Sequence, residues 1–109
     1  IHSLADVFER LPSHGAVVLN PAKILNQPEC QLPQSWDVTS DSIAAYIADE
    51  LAAHELVLFK STLLPPNTNR TQAADCGLVD KYFIQAAASF PTVRWVNLRD
   101  TPFTERLLS

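Results

Sequence analysis

An α/β fold, three-layered with a mostly parallel sheet between helices, is what the sequence predicts, and three observations carry that reading. Helix-like and strand-like stretches alternate three times along the chain. The strand candidates are short continuous apolar runs closed off by turn residues, the pattern of strands buried on both faces. Such alternation favours a parallel sheet with helices packed on it over a bundle or a sandwich. The length of 109 residues, with 47% apolar and 18% charged side chains, suits a single folded domain spanning 1–109.

The first helix follows from Ser3 as cap and Leu4, Val7, Phe8 and Leu11 at helical spacing, with Pro12 and Gly15 as its stop. Ala16-Val17-Val18-Leu19, between Gly15 and Asn20-Pro21, reads as a strand in the middle of the sheet. Three prolines between Asn20 and Gln34 make the next stretch a connection, with one short turn of helix at Ala22–Leu25. After Ser35-Trp36-Asp37-Val38-Thr39-Ser40-Asp41-Ser42 comes the strongest helix, with Ile43, Ala44, Ile47, Ala48, Leu51 and Ala52 as an apolar stripe.

Leu56-Val57-Leu58-Phe59 is the second strand, ending at Lys60-Ser61, and a polar, proline-containing loop then runs to about Cys76. A helix over Val79–Ser89 brings Phe83 and Ala87 to one face and stops before Pro91, with Asp80 as its N-cap or first-turn acid. Val93–Leu98 is the third strand. Thr101 and Pro102 would open a last short helix carrying Phe103 and Leu107 on one side.

Composition excludes several functions. A net charge of −4 with the eight Lys and Arg scattered gives no basic stripe for nucleic acid. No apolar run reaches the length of a membrane span and the first residues do not form a secretory signal, so the expectation is a soluble, cytoplasmic protein. Two glycines, against about 7–8 at average usage, cannot build a glycine-lined phosphate loop. The absence of Met suggests a piece of a longer chain. Cys30 and Cys76 fit neither a zinc ribbon nor a CxxC pair, and His2, His14 and His54 lack metal-ligand spacing, so no metal site is expected. No serine sits in a nucleophile elbow.

Ligands in parallel α/β sheets gather beyond the carboxyl ends of the strands, near helix N-termini. That rule nominates Asp41, in the first turn of the strongest helix, and Lys60-Ser61, directly after a strand. The plainer roles are a helix-dipole acid for Asp41 and a solvent-returning lysine for Lys60. Whether the two share an edge of the sheet depends on the fold. Trp36 and Trp95 read as core or sheet-edge packing rather than stacking platforms.

The stretch Ser35-Trp36-Asp37-Val38-Thr39-Ser40-Asp41-Ser42-Ile43-Ala44-Ala45, followed by Glu55-Leu56-Val57-Leu58-Phe59-Lys60-Ser61, resembles the amino acid kinase family of aspartate, acetylglutamate and uridylate kinases. Gly77-Leu78-Val79-Asp80 is similar to that family's later Asp-Gly-Val segment. The likeness covers only the family's C-terminal, nucleotide-binding half. It implies Mg-ATP as cofactor (ATP and Mg2+), a small carboxylate or phosphate acceptor, Asp41 as organiser of the catalytic lysines, and Lys60 and Ser61 at the start of the nucleotide loop. The family's N-terminal lysine and glycine-rich loops have no counterpart here, and Ser61-Thr62-Leu63-Leu64-Pro65-Pro66 replaces its acidic loop. Completion by a missing half or by a homo-oligomer is the corresponding expectation. The alternative is a non-catalytic kinase-like domain for small-ligand sensing or assembly; a protein-binding module around Leu63–Pro66 is a third reading.

Overall fold

The computed structural model describes residues 1–109, which fold as two compact units, Ile1–Pro33 and Gln34–Ser109. In the first unit, helix α1 (Leu4–His14) starts where expected: the Ser3 hydroxyl oxygen accepts from the Asp6 N–H at 3.2 Å. It runs through Pro12, which can be held in the last turn at the loss of one backbone bond, and stops at Gly15. Gly15 has φ +73° and donates its N–H to the Leu11 carbonyl at 3.0 Å, a left-handed closure that glycine accepts without strain. Helix α2 is the single turn Ala22–Leu25.

The strand expected at Ala16–Leu19 does not form. The stretch is held only by a bond from the Ile1 amino group to the Val18 carbonyl and one from the Asn20 N–H to the Ile1 carbonyl, with Val18 exposed. A short apolar run becomes a strand only where a neighbour pairs its backbone groups, and none of the sheet strands does so here.

The second unit holds helix α3 (Ser40–Glu50), strand β1 (Val57–Lys60), helices α4 (Arg70–Asp75) and α5 (Phe83–Ala86), and strands β2 (Val93–Asn97) and β3 (Thr104–Leu108). The sheet order is β1-β2-β3. β1 pairs with β2 in parallel, Leu58 opposite Trp95 and Lys60 opposite Asn97. β2 pairs with β3 antiparallel, Trp95 opposite Arg106. The sheet is therefore mixed, correcting the mostly parallel expectation, and the last segment is a strand rather than a short helix. A short helix from Thr101 would satisfy few backbone groups, whereas β3 pairs all five residues of the free edge of β2. The β2–β3 connection is tied by Asp100, which accepts from the Thr104 hydroxyl at 2.7 Å, while the Asn97 side-chain oxygen takes the Arg99 N–H at 3.0 Å.

The core lies on one sheet face, where Leu58, Val93, Trp95 and Leu108 meet Ala45 of α3, Ala73 and Ala74 of α4 and Phe83 of α5, together with Leu56, Leu64, Val79, Ala87 and Phe90 from the connections. Phe59, which points to the other face, is 68% exposed, so β1 is not buried on both sides as its sequence suggests. Trp95 behaves as the core residue expected, its indole N–H donating to the Thr62 carbonyl at 2.9 Å.

Two helices depart from expectation. α4 lies in the segment read as loop, and it starts with a capping box in which Asn69 and Gln72 satisfy each other's backbone N–H at 2.8 and 2.9 Å. α5 is one turn instead of Val79–Ser89, although Phe83 and Ala87 do share the buried face. Arg70 straps the two together: its guanidinium donates to the Ala87 carbonyl at 2.9 Å and to the Phe90 carbonyl.

α3 ends in a left-handed residue that is not glycine. Ala52 has φ +52°, and the Ala53 N–H reaches back to the Ala48 carbonyl at 2.9 Å, the bonding of a Schellman closure. A Cβ in this conformation costs about 1–2 kcal/mol, offset in part by the greater unfolded-state freedom of glycine. Ala52→Gly is therefore expected to stabilise the protein by about 0.5–1 kcal/mol in chemical denaturation. In the opposite direction, Phe83→Ala removes a ring buried in the core and is expected to cost about 3–5 kcal/mol in the same measurement.

Candidate functional site

The chain segment from α3 to β1 is a helix followed by a strand that returns to the helix's starting end. Eleven helical residues rise about 16 Å, and the run from Glu55 to Lys60 climbs back a similar distance at about 3.3 Å per residue. The consequence is that Lys60, last in β1, meets Asp41, second in α3. The Lys60 ammonium donates to both Asp41 carboxylate oxygens at 3.0 Å. The pair is largely withdrawn from water, Lys60 keeping 20% and Asp41 12% of its side-chain exposure. Below it lies Trp95, whose ring centroid is 5.2 Å from the Lys60 nitrogen, a cation–π contact.

The placement of Asp41 depends on a residue from far along the chain. α4 ends at Gly77, φ +74°, with the Gly77 N–H on the Ala74 carbonyl at 3.1 Å and the Leu78 N–H on the Ala73 carbonyl at 2.9 Å. This Schellman closure turns the backbone so that Val79 enters the core and Asp80 reaches the N-terminus of α3. There the Asp80 carboxylate accepts four bonds: from the Thr39 N–H and hydroxyl, both at 2.8 Å, from the Ser42 N–H at 3.2 Å and from the Ser42 hydroxyl. Asp80 thus caps α3 rather than its own helix, correcting the sequence-based assignment. Thr39 occupies the N-cap position but makes no side-chain cap bond within α3, because its hydroxyl is turned to Asp80. Ser42 is 0% exposed, and Asp80 is what satisfies its hydroxyl.

Burial works against a charge on Asp80, but the bonds from the Ser42 hydroxyl, the Thr39 amide and hydroxyl and the Ser42 amide outweigh it and hold the carboxyl below its ordinary 3.8.

Asp41, Lys60, Thr39 and Asp80 border an open cleft of about 350 Å³ together with Trp36, Asp37, Lys81 and the Ala74–Val79 turn. The cleft sits at the carboxyl end of β1, the side of the strands on which ligands bind in α/β sheets. Ser61 is exposed and does not border it. Trp36 corrects the packing expectation: its side chain is 100% exposed at the rim of the cleft. Sequence reasoning also passed over Lys81, and it had no signal for the reach of Asp80 across 38 to 41 residues. No three His, Cys, Asp or Glu side chains gather in a cluster able to hold a metal ion. No helix is long and apolar enough to cross a membrane.

Comparison with protein-family models, curated proteins and solved structures finds no match to this chain.

The network makes a testable pH statement. Because the folded-state pKa of Asp80 is depressed, its stabilising contribution is complete above the unfolded carboxyl value near 3.9 and is lost as the pH falls through the lower folded value. Asp80→Ala leaves the buried Ser42 hydroxyl without its acceptor and is expected to cost about 1–3 kcal/mol at pH 7. The gap between wild type and variant in urea denaturation is expected to narrow as the pH falls from the unfolded carboxyl value through the lower folded one, where the wild-type side chain becomes protonated and no longer holds the helix end as an anion.

Proposed function

We propose that this chain provides the nucleotide side of a phosphoryl-transfer site, with Lys60 holding a phosphate of Mg-ATP and Asp41 fixing the position of that lysine. The supporting observation is the Asp41–Lys60 pair itself, formed across 19 residues at the end of β1, which brings together the two residues to which the amino acid kinase resemblance gives the organising and nucleotide-holding roles. The order of helix α3, strand β1 and the parallel neighbour β2 is in keeping with the C-terminal half of that fold, and an acceptor with a carboxylate or phosphate group completes the reading.

The residues present suit a phosphate. An ammonium has three N–H groups, and Asp41 takes two of the three on Lys60, leaving one to donate to an incoming oxygen. The helix geometry also leaves the Ser40 and Asp41 amides without intrahelical acceptors beside a positive dipole end. For Mg2+ the protein offers no cage of its own, so the ion would arrive on the phosphates, as Mg2+ commonly does. When bound, Mg-ATP would supply the phosphoryl group. The chain's own contribution is positioning and charge: Asp41 stops Lys60 from swinging into solvent, and Trp95 supports the ammonium from below.

A second reading, binding without chemistry, draws on the balance of the cleft, in which Asp37, Asp41 and Asp80 face only Lys60 and Lys81. Such a site would sense a small ligand or support assembly.

The test is an amide-shift titration of the whole chain with Mg-ATP. Saturable shifts are expected at residues 40–42 and 60–62, with affinity at least tenfold weaker in Lys60→Ala, a loss of about 1.4 kcal/mol. Absence of shifts at millimolar nucleotide overturns the proposal.

A further inference from the structure

Trp36 is the most exposed large hydrophobic side chain of the protein, and it stands beside the only ion pair that is withdrawn from water. The backbone that carries it is fixed. The Val38 N–H donates to the Ser35 carbonyl at 3.1 Å, closing a turn with Trp36 at its second position, and the Asp37 N–H donates to the Ser35 hydroxyl oxygen at 3.0 Å. On the far side the Asp37 carbonyl accepts the Tyr82 N–H at 3.3 Å, and Thr39 is held by Asp80. A turn tied at both ends presents an indole to water at the rim of a cleft whose interior cation is Lys60. A second hollow, of about 280 Å³, is bordered by Gln34, Ser35 and the same Trp36.

An indole that is fully exposed contributes no packing to the fold, yet it keeps a large apolar face in water that a flat ring would cover. We infer that Trp36 is a stacking wall for the planar aromatic ring of a phosphorylated ligand whose phosphate lies on Lys60. The inference rests on the phosphate role proposed for Lys60 and adds the class of ligand: an anion carrying an aromatic ring. That chemistry has two sources, the base of a nucleotide or the ring of a small aryl phosphate acceptor. Aromatic stacking is tolerant of ring identity, since every such ring has a π face.

The experiment measures the affinity of the whole chain for AMP, phenyl phosphate and inorganic phosphate, with tryptophan emission and amide shifts as readouts, in wild type, Trp36→Ala and Trp36→Phe. Wild type is expected to bind at least one ring-bearing phosphate about tenfold or more tightly than inorganic phosphate, the order of one aromatic stack. Ring-bearing ligands should quench emission in wild type beyond any change that inorganic phosphate causes through Trp95, whose ring centroid is 5.2 Å from the Lys60 nitrogen, and that excess should be lost in Trp36→Phe. Trp36→Ala should bring the ring-bearing ligands down to the affinity of inorganic phosphate with an unchanged melting temperature, and Trp36→Phe should restore most of the difference. Preference for AMP identifies the nucleotide source; equal or better binding of phenyl phosphate identifies the acceptor source. Equal binding of all three ligands, indifferent to Trp36, overturns the inference and leaves the Lys60 site standing. A melting temperature lowered in Trp36→Ala as far as a core substitution lowers it overturns it as well, by assigning the indole to the fold. Binding of none of the three removes the phosphate reading and this inference together.

Discussion

The carboxylate of Asp80 is the constraint on which the second unit depends. Four donors from two residues at the start of α3 converge on one side chain delivered by the turn after α4, so a single anion joins segments about forty residues apart. Helix starts are ordinarily capped from within the chain that leads into them, and here the local N-cap residue, Thr39, gives its hydroxyl to the distant acid. Two consequences follow from the geometry. Ser42 can be fully buried against the core because its hydroxyl has an ionised acceptor, and Asp41, one residue earlier, is left pointing to β1 instead of closing its own helix end. The Schellman turn at Gly77 is therefore part of the site although no side chain there bears any chemistry, since its left-handed residue sets where Asp80 arrives.

Elements whose cause is local were legible in the sequence. The Ser3 cap, the one-turn helix at Ala22–Leu25, the long helix from Ser40 and the two strands around Leu58 and Trp95 follow from caps, prolines and apolar spacing, and they form. Elements decided by a neighbour were not. Ala16–Leu19 has the composition of a strand and lacks a partner, whereas Phe103 and Leu107 have the spacing of a helix turn and yet Thr104–Leu108 acquires a strand partner in β2. The Asn69-x-x-Gln72 box at the start of α4 was a readable signal overshadowed by the prolines before it. At the site, Asp41 and Lys60 were nominated by position, but their meeting required the return path of β1, and the role of Asp80 required a contact that no local pattern encodes.

Exposure separates the two tryptophans in a way composition could not. Trp95 lies opposite Leu58 and Arg106 in the middle strand, so both pairing and burial fix it. Trp36 lies in a turn closed by the Ser35 hydroxyl and carbonyl oxygens, and its side chain is fully exposed. A residue type that normally drives folding is thus placed where folding gains nothing from it.

The charges of the cleft bear on how any anion could be held there. Of its three acids, Asp80 is engaged by four donors and Asp41 by Lys60, so neither presents a free carboxylate to an approaching phosphate in the way Asp37 does. A formal count of acids against lysines therefore overstates the repulsion, because the field of an anion ringed by N–H and O–H dipoles falls off faster than that of a bare one. The same reasoning sets a limit on Lys60. Its ammonium is shared with Asp41, so an anion reaching it would meet a donor held in place rather than a loose positive charge, and selectivity would have to come from the shape around that donor. In this cleft the shape is given by backbone turns at Ser35–Val38 and Ala74–Val79, both closed by their own hydrogen bonds.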